Sequence, residues 1–326
     1  MLREPVLNTL VFLALPTVAA LAVVLDEPFT ITLATRAAIL ALAAVGLNLA
    51  LGIGGLVSLG HAVFFGLGGY AMGILASHAQ SFTAIDLGLF MVEGTTSMPV
   101  IWLVAVLVSA LAALLIGLLA LRTAGVYFIM ITLAFGQMFY YFTISWPAYG
   151  GEDGLSIYVR NSFPGLNTLD PIQFFALVFG VLAIVLWIMG RIERSPFGLA
   201  LGSARQNAVR VETVGLSPFR LRLEAFVISG AITGLAGALF ADLNRFVSPT
   251  MFSWQMSGEF IVFIVLGGIG RLFGPVVGAC LFVLLEHMLS GVSDYWLVFL
   301  GAILLFVVLF ARGGVIGALT EPGRGA

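Results

Sequence analysis

The sequence predicts an all-α, polytopic integral membrane protein of about ten transmembrane helices (roughly eight to ten), some of them broken or re-entrant. Two observations carry this. Hydrophobic residues make up 61% of the 326 positions and charged residues 9%, against roughly 25% charged in soluble domains. The apolar residues also gather into runs of about 20, the length that spans a hydrocarbon layer, with the charges in short clusters between them.

The runs lie near 6–25, 33–51, 57–77, 98–121, 124–145, 171–190, 222–243, 254–271, 275–290 and 295–311. In the first, the apolar stretch outruns the usual 7 to 15 residue core of a secretory signal, which favours a retained span. The pair around Gly267, Gly268, Gly270, Gly274 and Pro275 reads either as two short helices or as one broken, re-entrant element. No polar stretch approaches the roughly 50 residues of a soluble domain, so residues 1–326 are expected to form a single membrane domain.

Orientation follows from arginine, which collects in cytoplasmic loops. Six of the 14 cations, Arg191, Arg194, Arg205, Arg210, Arg220 and Arg222, fall in the loop 191–222. Counting spans outward places Arg3, Arg122, Arg271, Arg312 and Arg324 on that side too, with both termini cytoplasmic; Arg36, Arg160 and Arg245 are the exceptions. The segment 146–170, rich in glycine and proline, becomes an extracytoplasmic cap or docking loop.

Several chemistries are excluded by residue type. Every cation is arginine, so the lysine of a phosphate-binding G-x-x-x-x-G-K-[ST] loop is missing and nucleotide must be hydrolysed elsewhere. His61, His78 and His287 form no H-E-x-x-H pattern, and Cys280 stands alone. No catalytic residue, metal site or resident cofactor is expected.

The polar residues within the runs suggest transport. Gly46 to Tyr70 is dense in glycine, which serves either close helix packing or a broken helix beside a substrate path; Asn48, Ser58 and His61 are its polar groups. Thr132 and Gln137 interrupt the aromatic span Thr123–Ser145. Glu259, Asp242 and Glu286 fall near outer span ends, where ionised groups are expected to reach water, and Glu259 would serve an ion-coupled carrier. In the 191–222 loop, Ser195-Pro196 and Ser217-Pro218 read as helix starts. Leu199 to Val214 reads as one short helix, ended by Gly215 in a left-handed conformation, and such a helix across the cytoplasmic face would suit a moving partner.

Five stretches carry a resemblance: Gly46–Tyr70, Gly125–Met138, Gly198–Leu216 (G-L-A-L-G-S-A-R-Q-N-A-V-R-V-E-T-V-G-L), Ala225–Leu239 and Leu266–Ala279. Together they resemble permeases of ABC importers for branched-chain amino acids, of the LivM type, over about residues 40–314. The resemblance implies a bacterial inner-membrane permease working by alternating access. Its partners would be a LivH-type permease, two ATPases carrying ATP and Mg, and an extracytoplasmic solute-binding protein. It places Ala204, Arg205, Asn207, Glu212 and Gly215 in the segment that docks on the ATPase. The segment departs from the family pattern at Gln206, Ala208, Arg210 and Val211. Branched-chain amino acids are the expected cargo, with urea, amides or other small polar solutes as alternatives. An ion-coupled secondary transporter is the competing class.

Overall fold

The computed structural model describes residues 4–86, 91–291, 295–310 and 313–320; Arg3, Arg312 and Arg324 of the orientation count lie outside the described residues. Each predicted run falls on a helix: α1 (Glu4–Val24), α2 (Pro28–Asn48), α3 (His61–Ser81), α4 (Met98–Ala120), α5 (Val126–Ile144), α6 (Pro171–Glu193), then α7 (Pro196–Gln206) and α8 (Ala208–Thr213) in the arginine-rich loop, α9 (Pro218–Asn244), α10 (Trp254–Gly267), α11 (Gly274–Ser290), α12 (Trp296–Phe310) and a short α13 (Gly314–Thr320). Proline opens α2, α6, α7 and α9, where its missing N–H costs nothing.

Six segments are long and apolar enough to cross a membrane: Pro28–Ile53, His61–Ser81, Met98–Ala120, Val126–Ile144, Pro171–Glu193 and Pro218–Asn244. Four shorter apolar helices accompany them: Asn8–Val24, Trp254–Gly267, Gly274–Ser290 and Leu297–Val307. With 14 residues, α10 reaches about 21 Å at 1.5 Å per residue, short of the roughly 30 Å hydrocarbon core. The doubtful pair is therefore two short helices joined by a tight turn. Gly268 and Gly270 take φ of 127° and 76° there, and a Cβ on Gly267 would strike the Gly274 carbonyl.

The bundle is organised around α9, against which α2, α3 and α4 pack. Ser229, Gly230, Thr233, Gly234, Ala236, Gly237, Ala238 and Ala241 are all buried along it. A Cβ on Gly68 of α3 would collide with the Gly234 carbonyl, and one on Gly237 with the Phe65 carbonyl. The two backbones thus touch directly, the contact that small residues allow between helices in lipid. Ser109 of α4 closes the third side, donating to the Phe64 carbonyl at 3.1 Å. Around this seam Phe64 and Phe128 meet Phe226 edge to face, at 5.4 and 6.1 Å.

Two short antiparallel ribbons interrupt the otherwise helical fold: β1 (Ala84–Asp86) with β2 (Met91–Glu93), and β3 (Leu155–Ser156) with β4 (Phe246–Val247). The second clips the 146–170 segment to the end of α9. There Asp242, expected to reach water, is buried instead; its Oδ1 accepts from the Asn161 amide and side chain at 3.4 and 3.2 Å. Arg160 donates to the carbonyls of Thr168 (2.7 Å) and Leu243 (3.4 Å) and lies over the Phe174 ring. Burial pulls the Arg160 guanidinium below the ordinary arginine range, and the neighbouring Asp242 partly offsets this.

Two local expectations are corrected. Leu199–Val214 is two helices, because Asn207 takes an extended conformation (φ −155°, ψ 99°) and its side chain caps α8 by accepting from the Arg210 amide at 3.0 Å. Ser217 opens α9 without a side-chain cap bond, whereas Ser195 does cap α7 by accepting from Gly198.

Candidate functional site

The glycine-rich stretch both packs helices closely and breaks one. After Asn48 the helix widens into a π-helical turn, Leu49–Ile53, a distortion that often marks functional positions. The chain then runs without helix through Gly54–Gly60 before α3 starts at His61. Glycines downstream, Gly66, Gly68 and Gly69, press on Phe252, Gly234 and Met251. The broken segment is what places polar groups inside the bundle.

His61 is fully buried at the first turn of α3. Its Nε2 lies 2.7 Å from the Ser229 hydroxyl of α9, its ring edges meet Phe64 and Phe226, and its Nδ1 has no acceptor or donor among the described residues. Ser58 is also buried and accepts from the Gly60 amide at 3.3 Å, while the Ser257 hydroxyl of α10 accepts from the Ala62 amide at 2.8 Å. Asn48 spans the break to the α10–α11 turn: its Nδ2 donates to the Arg271 carbonyl (3.1 Å) and its Oδ1 accepts from the Gly270 amide (3.2 Å).

Thr132 joins this region through its backbone, since its carbonyl packs on Gly60, but its hydroxyl is spent on Ile129 of its own helix at 2.9 Å. Gln137 is half-buried and makes no side-chain hydrogen bond with a described residue. Glu259 stands apart from the others. It lies beside Arg36 and Glu286, and those two form an ion pair of 3.0 Å joining α2 to α11. Ser229, Ser257 and Arg36 were missed from sequence. Arg36 did signal itself, as a charge inside an apolar run that disobeyed the orientation count.

Helix α5 carries a mismatch between environment and composition. Only 22% of its most apolar stretch is buried, the lowest of the six long segments, yet its mean hydropathy there is 1.4 against 2.9 for α4. A lipid-facing helix should be among the most apolar. The exposed side of α5, bearing Tyr127, Tyr141 and Phe142 with Gln137 nearby, therefore suits a protein or aqueous neighbour better than lipid.

The α7–α8 segment faces two ways. Inward, Arg205 donates from Nη1 to the Gly52 carbonyl in the π turn and lays its stem on Gly55, which has a φ of 71°. Arg222 of α9 donates to the Ala204 carbonyl at 3.1 Å. Outward, Leu199, Val209, Val214 and Leu216 are exposed, and the last two line a groove of about 300 Å³ between α7 and α8. Glu212 is exposed, and Gly215 ends α8 with φ 88°, as its position predicted. Of the residues assigned to coupling, Ala204 and Arg205 hold the segment to the bundle, while Asn207 shapes it.

The family model for "Branched-chain amino acid transport system / permease component" matches residues 29–308. The chain belongs to this permease family. It is 28% identical to the high-affinity branched-chain amino acid transport system permease protein LivM of Salmonella typhimurium, over 93% of this chain and 75% of that protein. It is 24% identical to a probable branched-chain amino acid transport permease protein LivH of Methanocaldococcus jannaschii, over 78% of this chain and 82% of that one. The ribose import permease protein RbsC of Bacillus subtilis is 25% identical over 50% of this chain and 51% of its own length. No solved structure matches the chain. The chain is thus a multi-pass permease component of an ABC import system. Among the described residues no group of three or more His, Cys, Asp or Glu side chains could hold a metal.

Proposed function

We propose that this permease imports branched-chain amino acids across the bacterial inner membrane as one of two related permease subunits, fed by an extracytoplasmic binding protein. It is driven by two ATPases that carry ATP and Mg, and it contributes no catalytic residue or cofactor itself. The α7–α8 segment is cytoplasmic, as are both termini, the 146–170 segment faces the binding protein, and residues 1–326 act as one membrane domain.

One observation carries this reading: α7–α8 shows exposed apolar side chains outward while Arg205 ties it inward to the turn that leads to Ser58 and His61. A water-facing loop gains nothing from Val209 and Val214 unless a protein covers them. Movement of such a partner would be transmitted through a charged, hydrogen-bonded link to the broken helix, which lies against α5. Two permeases facing each other across α5 would explain why that helix is exposed yet less apolar than α4.

The assay is uptake by the reconstituted complex beside its ATPase rate. Arg205→Ala and Gly215→Pro should each lower solute uptake per ATP hydrolysed while the complex stays assembled. Unchanged coupling in both variants would defeat the assignment of this segment, and leucine uptake by the purified chain alone would instead support an ion-coupled carrier with Glu259 as its carboxylate.

A further inference from the structure

Where α5 begins, it meets the broken segment after α2 and the end of α7 around a cavity of about 180 Å³, several times the roughly 30 Å³ share of one water in the liquid. Two arginines, Arg205 and Arg222, line it, and no carboxylate does among the described residues. Each guanidinium offers five N–H donors. Arg205 gives one to Gly52 and Arg222 one to Ala204. The Arg222 Nε is buried and finds no acceptor among the described residues, a state that costs free energy unless something supplies one.

The same wall holds a third source of donors. Helix α5 starts behind Gly125 (φ 62°) with no side-chain cap, and Thr123, Gly125 and Phe128 all line the cavity. The amides of the first turn have no intrahelical acceptor, and the helix end carries partial positive charge. Two uncompensated guanidinium groups and an uncapped helix N-terminus converge on one concave site.

We propose that this cavity binds a phosphate-type oxyanion, held by Arg205, Arg222 and the first turn of α5. Planar guanidinium groups and helix amides both favour that geometry. Its position follows from the orientation proposed above: at the cytoplasmic interface, where basic pockets between spans take anionic lipid headgroups. The anion is therefore either the headgroup of an inner-leaflet phospholipid or free phosphate. In either case it bridges α5, α7 and α9, and so stiffens the joint between the α7–α8 segment and the broken helix.

The test uses the assembled complex in phosphatidylcholine nanodiscs, with and without phosphatidylglycerol, and native mass spectrometry to count retained lipid. In a second arm, inorganic phosphate is added to phosphatidylcholine discs and the melting temperature followed. Arg222→Gln and Arg205→Gln are compared with Arg220→Gln, whose side chain is exposed in the first turn of α9 and does not line the cavity. A phosphatidylglycerol adduct that falls about tenfold or more in both cavity variants but not in Arg220→Gln establishes a lipid site. A phosphate-dependent melting shift lost in the same two variants establishes a free-anion site. Equal lipid retention and equal phosphate response in all four proteins overturns the proposal. Because neither arm measures uptake, this result stands apart from the coupling assay; melting without added anion shows whether each variant has folded.

Discussion

The contact between α3 and α9 makes the sharpest prediction, because main-chain atoms cannot rotate out of the way. Replacing Gly237 by alanine puts a Cβ against the Phe65 carbonyl, so the two helices must separate. The flanking contacts of the same seam, Gly68 with Gly234 and Gly230 with Phe64, would then open together and lose dispersion energy. Overpacking of this kind costs about 1 to 3 kcal/mol. Backbone on backbone belongs at the upper end, about 2 to 3 kcal/mol, since no side-chain rotamer relieves it. That corresponds to a fall of about thirtyfold or more in the folded-to-unfolded ratio. Gly180 of α6 is the matched control: nothing lies within 4 Å of its added Cβ, so Gly180→Ala should be neutral or gain up to about 1 kcal/mol of helix propensity in an aqueous scale. Denaturant titration of both variants in the same detergent measures the difference. Equal stability of the two would refute direct contact between the α3 and α9 backbones.

Four further outcomes follow from the same geometry. Asn48→Ala removes both bonds to the Arg271 carbonyl and the Gly270 amide and should destabilise by about 1 to 3 kcal/mol, with faster hydrogen exchange at Gly270. Ser229→Ala strips His61 Nε2 of its only described partner and should cost about 1 kcal/mol or more; uptake and melting are read together. Arg36→Met and Glu286→Met should each destabilise, while the double variant recovers part of the loss, because an unpaired charge is worse than none; strict additivity in the cycle argues against the pair. Asp242→Ala should loosen the 146–170 segment from α9 by removing the acceptor for Asn161, seen as protease sensitivity confined to that segment.

The order and approximate ends of the apolar helices were legible because lipid permits few solutions, although only six of them are long enough to span it. A backbone in hydrocarbon must bond within its own segment, so run length alone marks the spans. Pro196 and Pro218 marked starts, Gly215 marked a stop, and the missing lysine excluded a nucleotide loop. What the residues do in pairs was not legible. The Leu199–Val214 pattern continues through Asn207 with apolar spacing intact, and only the backbone shows that its side chain caps a new helix. Ser229, Ser257 and Arg36 look like isolated polar interruptions until α9, α10 and α2 bring them to His61, the Ala62 amide and Glu286. Asp242 seemed free to reach water because nothing local reveals that residues 155–161 fold back over it. Sequence determines the solvent of each segment, since that depends on its own composition. Tertiary structure decides which polar group answers which, since a partner up to 250 positions away leaves no local trace.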